Sequence, residues 1–152
     1  VSTNLSIYSP FHGRVGYNYG VYEIATALAK NETVGLFRLP KCRVIDGAFR
    51  GDAIDTDTST PLMEITIGHE GNSVDTADPN AFFDSTTDPL DGAAIAGLKP
   101  ETLLFYPFNG VLKDGPYALS EETVISAKCT AEEAAGGTGT LHVGAYYIEP
   151  AS

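Results

Sequence analysis

The 152-residue chain has no tryptophan, only two cysteines and only nine basic side chains. Each scarcity closes off a class of protein. Two cysteines cannot build a disulfide framework. Both lie in strand-like runs, Cys42 at the start of one and Cys129 at the end of another, where buried free thiols are expected. Nine bases against 20 acids leave a formal charge of −11. Such a surface repels phosphate backbones, so no nucleic-acid partner is expected; it favours solubility and cationic partners or metal ions. No apolar run approaches the length of a bilayer span, so no membrane partner is expected. The opening VSTNLS has no basic, apolar signal and resembles a cytoplasmic product that has lost its methionine.

Chemistry is scarce too. His12, His69 and His142 are far apart and lack metal-ligand spacing, so each reads as a surface or loop residue. There is no G-x-S-x-G elbow. The thiols have no visible base beside them. The run Gly136 to Gly139 is not a phosphate loop, because no Lys follows it and no helix begins there. Acids are plentiful: Asp52, Asp55 and Asp57 share one loop, and Asp75, Asp78, Asp84, Asp88 and Asp91 share another. Such loops can hold Ca²⁺, but the stretch Asp55 to Thr60 lacks the Gly and distal Glu of an EF-hand, and turn capping by Asp explains it. A glycosidase-type acid pair depends on separation in space, which a sequence does not give. With neither tryptophan nor an aromatic-acid cluster, the chain reads as a non-enzyme with no cofactor and no metal.

What the chain does have is strand pattern. Lys41 to Gly68 holds two strand-like runs around an Asp/Thr/Ser turn and reads as a long hairpin. Val44, Ile45, Ala48 and Phe49 make the first run apolar on both sides, and Gly47 marks a bulge or a close approach. In the second, Met63, Ile65 and Ile67 alternate with Glu64 and Thr66, one face buried and one wet. Val21 to Lys30 fits a strand or a helix; with the turn at Asn31-Glu32 and the run Thr33 to Leu39 it reads as a hairpin. Thr102 to Phe108 is a short apolar run that Pro107 assigns to an edge or a strand end. Ile125, Ala127 and Cys129 share a face. In Thr140 to Ile148, the clearest strand, Leu141, Val143, Ala145 and Tyr147 alternate against His142, Gly144, Tyr146 and Ile148. About eight strands without a strong helix predict an all-β, antiparallel sandwich of jelly-roll kind, or a closed barrel.

Two segments fall outside that pattern. Residues 1–20 read as an irregular arm preceding a single domain over 21–152. Its aromatics Tyr8, Phe11, Tyr17 and Tyr19 are interleaved with Gly and Pro, and cover either the domain's own core edge or a groove on a neighbouring subunit. Residues 69–100 form a long loop that is functional or hides an element, such as a short helix from Asp91 to Leu98. Phe82 and Phe83 sit in it, one expected to plug the core and the other to be an exposed anchor for a partner.

Two runs carry a family resemblance. One is CRVIDGAFRGDAIDTDTSTPLMEITIGHEGNSVDTADPNAF, where an Asp/Thr turn links two strands and an "ADP" loop with nearby Phe follows. The other is YPFNGVLKDGPYALSEETVISAKCTAEEAAGGTGTLHVGAYYI, where a Gly-rich turn leads to an apolar, tyrosine-containing strand. Together they span more than half of the chain, and it resembles the small β-sandwich proteins of tailed bacteriophages that serve as head decoration (cement) or other head-associated structural proteins. The resemblance implies a structural virion protein, made in the host cytoplasm and bound to the outer capsid surface. Its partners would be the major capsid protein and other copies of itself, in a small homo-oligomer such as a trimer, and it would stabilise the shell by cross-linking subunits. It brings no catalytic residues. The alternative is a carbohydrate-binding jelly-roll module of a fibre or spike, using Tyr146 and Tyr147 and helped by Ca²⁺; the absence of tryptophan weighs against it.

Overall fold

A computed structural model describes residues 14–51, 63–84, 104–108, 115–131 and 138–150. Nine strands lie in these segments: β1 Val15–Ile24, β2 Thr33–Leu39, β3 Cys42–Gly51, β4 Glu64–His69, β5 Asp78–Asp84, β6 Leu104–Pro107, β7 Tyr117–Leu119, β8 Thr123–Ala131 and β9 Gly139–Ile148. They form two antiparallel sheets. The first runs β1-β9-β3-β6, with β7 also paired to β3; the second runs β2-β8-β4-β5. β1 pairs β9, β2 pairs β8, β3 pairs β6 and β4 pairs β5. The chain is therefore one long hairpin, tipped between β4 and β5 and rolled so that successive pairs fall in alternate sheets. That is the jelly-roll arrangement, two Greek keys in a sandwich, and β7 is an addition to it.

The two expected hairpins are not hairpins. β1 and β2 belong to different sheets, and so do β3 and β4. Alternation reports which side of a strand is apolar, but not which neighbour the strand will take. The segment between β1 and β2 is a corner. Asn31 holds it with a positive φ of 71°, and Asn31 N–H donates to Cys129 O at 2.8 Å.

The core lies between the sheets, and the period-2 pattern fills it. Val44 and Phe49 from β3, Ile65 and Ile67 from β4, Ile125, Ala127 and Cys129 from β8, and Leu141, Val143 and Ala145 from β9 are all buried. Cys42 and Cys129 are free, buried thiols. Burial, with Glu149 adding to it, pushes the Cys42 thiol up to about 12, so it stays protonated. Thr66, expected on a wet face, is buried instead. Pro107 does sit in an edge strand, and Gly47 does mark a close approach: a Cβ there would strike the Phe108 ring and Gly144 O.

Three further expectations change. Residues 15–20, expected to be irregular, are strand: β1 pairs rung by rung with β9 from Val15 onward. Glycines 16 and 20 did not break it but made room, Gly16 for the Tyr147 ring and Gly20 for the β2 backbone. The element hidden in the long loop is strand β5, and it carries Phe82 (1% exposed) and Phe83 (0%). Neither is a surface anchor. Phe83 packs on Phe49 across the sandwich at 5.3 Å, and Phe82 packs on Phe108 and Tyr117 at 5.5 and 5.3 Å. Residues 1–13, the loop with Asp52, Asp55 and Asp57, and the run from Asp91 to Leu98 lie outside the described residues.

His69 is not a surface residue either; it is fully buried at the end of β4. Its Nδ1 accepts from Gly71 N–H at 3.1 Å and its Nε2 lies 2.8 Å from Tyr117 Oη, which in turn donates to Asp78 Oδ2 at 3.4 Å. With Nδ1 an acceptor, the ring is neutral and its single N–H points at Tyr117. Beside it, Asp75 accepts from Asn72 Nδ2, Ser120 N–H and Ser120 Oγ, each at 2.7 Å. Together these bonds fasten the hairpin tip to the β7–β8 turn. Gly71, at φ 83°, supplies the backbone turn this requires.

Desolvation holds the His69 pKa below its ordinary 6.5, against the opposing pull of Asp78 and Asp75. The folded state thus takes up its proton at lower pH than the unfolded chain. The His69 contribution is complete above pH 6.5 and is lost as pH falls through the lowered folded value. The thermal midpoint of the wild type should therefore drop from pH 7 to pH 5, and His69→Gln, which can donate to Tyr117 but cannot titrate, should show a shallower drop. Phe83→Ala should cost about 3–5 kcal/mol in denaturant unfolding, as for an aromatic lost from a core; a cost below about 1 kcal/mol would return Phe83 to the surface.

Candidate interaction surface

The outer face of the first sheet is built by register. The rungs across β1, β9 and β3 read Val15–Ile148–Arg43, Tyr17–Tyr146–Asp46, Tyr19–Gly144–Ala48 and Val21–His142–Arg50. The inward partners of these residues fill the core, so the alternation that builds the sandwich also fixes what faces out. On this face Tyr17 is 53% exposed, Tyr19 63% and Tyr146 47%, with Val15 and Val21 exposed at either end of β1. Four alternating residues of β1 thus form an apolar stripe on the order of 20 Å long.

The tyrosines touch one another. The Tyr17 ring lies 4.6 Å from that of Tyr146 and 6.2 Å from that of Tyr19. Gly144 makes this possible: a Cβ there would collide with Tyr17 Oη, so the ring lies over bare backbone. Beside the rings runs a groove of ≈ 480 Å³, floored by Gly144, Gly47 and Ala48 and bounded by Tyr17, Tyr19 and Tyr146, and by Asp46, Arg50 and His142. A volume of that order suits a small ligand or a protruding side chain.

The edge of β1 is fastened to β2. Asn18 Nδ2 donates to Arg38 O at 2.9 Å, while Asn18 Oδ1 accepts from Tyr19 N–H at 3.0 Å. One side chain thereby occupies a backbone group on each of two edge strands, the groups through which sheets pair promiscuously. Asn18 thus blocks the edge of β1 there and leaves its outward face open.

Of the residues expected to bind a partner, Tyr17 and Tyr19 lie in this patch. Tyr8 and Phe11 lie outside the described residues, and Phe82 and Phe83 are core. Tyr146 joins the patch, but Tyr147 points to the opposite face and packs on the core, so the two do not form one platform. Asp46, Arg50 and His142 were not anticipated as groove residues; only the β3–β9 register brings them together, and no local pattern encodes it. Among the described residues, no cluster of His, Cys, Asp or Glu is arranged to hold a metal ion. His69, Tyr117 and Asp78 resemble a proton relay, but the imidazole is sealed in the core and burial, with Asp78 adding to it, raises the Tyr117 hydroxyl to about 12. Their arrangement is structural.

No protein-family model matches the chain, and no curated protein matches it by sequence. The fold, however, is shared with chains of solved phage capsids. A chain of the cyanophage Pam1 capsid asymmetric unit superposes with a TM-score of 0.69 at 18% identity, covering 99% of this chain and 97% of that one. A chain of the Ralstonia phage GP4 capsid gives 0.65 at 16% identity, covering 98% and 93%. A chain of the acid-stable capsid of Helicobacter pylori bacteriophage KHP30 gives 0.52 at 16%, covering 92% and 91%.

Two glycines separate the surface from the scaffold. Gly144→Ala meets only the tip of a mobile side chain, whereas a Cβ at Gly68 meets the backbone of Asp78 and Pro79. Gly144→Ala should leave stability within about 1 kcal/mol of wild type and abolish the inter-ring NOEs between Tyr17 and Tyr146. Gly68→Ala should cost about 3 kcal/mol, read by urea unfolding.

Proposed function

We propose that this chain is a structural virion protein that sits on the outer surface of a phage capsid and stabilises it by bridging neighbouring shell subunits. The observation that carries the reading is the Tyr17–Tyr19–Tyr146 patch on a rigid sheet face. Tyrosines about half exposed or more, with their rings in contact in one cluster, are the residue type that binding hot spots favour. The resemblance of fold to chains of three phage capsids, over nearly the whole length of both partners, supports the virion setting. The charge of −11 suits an exterior face better than a DNA-filled interior. Such a protein works through contact free energy alone. Many copies on one shell, singly or as a small homo-oligomer such as a trimer, add modest contacts by multivalency. Binding the assembled shell but not loose subunits raises shell stability by mass action.

A second reading, a carbohydrate-binding module, draws on one observation: the groove beside Tyr146 combines aromatic walls with polar groups, as sugar sites do. The split of Tyr146 and Tyr147 to opposite faces weakens the form of it that uses both.

Purified protein should bind expanded capsids and raise their thermal rupture temperature. The double variant Tyr17→Ser/Tyr146→Ser should keep its own unfolding midpoint within a few degrees and lose that effect, with binding weaker by roughly 100-fold, the loss of about 2–3 kcal/mol. Capsids that rupture at one temperature with and without the bound protein would exclude a stabilising role, and binding to a glycan array that the double variant loses would favour the second reading.

A further inference from the structure

We infer that the groove on the first sheet receives an acidic side chain of the partner, an Asp or Glu projecting from the shell subunit, which pairs with Arg50. The inference rests on the decoration reading above and names the chemistry of its contact.

Arg50 is exposed at the end of the groove and forms no ion pair or hydrogen bond among the described residues. Arg38, on β2, by contrast donates to Glu122 at 2.9 Å. Among the described residues, Arg14, Lys41 and Lys128 also show no ion pair; what sets Arg50 apart is that it lines the groove. Register sets it on the rung of His142 and Val21, next to the Tyr19 rung, so one side of its surroundings is aromatic and apolar. A planar fork lining the same groove as Tyr19 and Tyr146 is suited to holding a carboxylate in two parallel hydrogen bonds.

The groove's own acid does not fill this role. Asp46 lies four residues away on the same extended strand, about 13 Å, which exceeds the screening length at physiological salt. Its Oδ1 is already held by Gly47 N–H at 2.7 Å. The groove is therefore polarised, cationic at the Arg50 end and anionic at the Asp46 end beside Tyr146. A carboxylate fits one end of it. A second copy of this chain is a poorer occupant, because two molecules of charge −11 repel as they approach.

The test measures binding of the purified protein to expanded capsids at 50 and 300 mM salt. Arg50 is exposed, so Arg50→Gln should unfold at the wild-type temperature. It should bind shells roughly 10- to 100-fold more weakly at low salt, and its affinity should depend less on salt than that of the wild type. Arg50→Lys, which keeps the charge but not the fork, should fall between the two, and Arg38→Gln should bind like the wild type. Arg50→Gln at wild-type affinity, or weakened with its salt dependence unchanged, overturns the inference and leaves the decoration reading standing. Arg50→Lys at wild-type affinity overturns the forked pair. A loss confined to self-association, seen by analytical ultracentrifugation, overturns the shell subunit as the source. Failure of the wild type to bind shells at any salt removes the decoration reading itself.

Discussion

Everything in this molecule depends on β1 lying against β9. That pairing joins two segments more than a hundred residues apart and closes the rolled hairpin: once β1 and β9 are in register, β2 meets β8 and β3 meets β9 in turn. The entropy of closing so large a loop is considerable but grows slowly with its length, and it is recovered only when the whole sandwich has formed. A fold of this kind is held by distant contacts, which make folding slow. The same pairing sets Tyr17 opposite Tyr146, so the candidate binding face exists only in the completed fold.

The two faces of the first sheet obey one rule with two outcomes. Inward residues are chosen for volume, and where backbones or rings approach closely the sequence turns to glycine, as at Gly16, Gly20 and Gly47. Outward residues are free of that demand, yet β1 places Val15, Tyr17, Tyr19 and Val21 there. Exposed side chains of this size on a long edge strand carry a risk of aggregation. Asn18 reduces it by occupying the edge, and the −11 charge opposes self-association. A surface kept apolar while its edge is blocked is what the proposed contact across its face requires.

Much of the scaffold was legible, and the reason is local. Alternation marks Ile65 and Ile67 of β4 as buried and groups Ile125 with Ala127 and Leu141 with Val143 on single faces, because strand geometry leaves a period-2 pattern little choice; all six are core. Pairing was not legible, since a strand's sequence does not name its neighbour; hence two crossovers between sheets read as hairpins in the sequence. Composition misled in two places. Glycine in 15–20 suggested an irregular arm, but these glycines serve close packing inside a strand. Asp and Pro around Phe82 and Phe83 suggested a loop, although β5 is an edge strand, where a Pro near the start is tolerated. His69 was misplaced for a related reason: its neutral state depends on Gly71, Tyr117 and Asp78, and Tyr117 arrives from nearly fifty residues away.

The groove residues show why fold and surface must be argued separately. Chains that share 16–18% identity over almost their whole length can keep one sandwich, because a jelly roll asks only for apolar residues at alternating positions and small ones at close approaches. Nothing in that demand reaches the outward rungs. Tyr17, Tyr146 and Arg50 are therefore not consequences of the fold, and shared architecture cannot account for them. On the decoration reading proposed above, their cause lies in what the face meets. A cluster of exposed tyrosines lining one groove with a guanidinium that has no partner among the described residues contributes little to stability of the isolated chain, whereas against the carboxylate-bearing surface proposed above each of those groups would gain a partner.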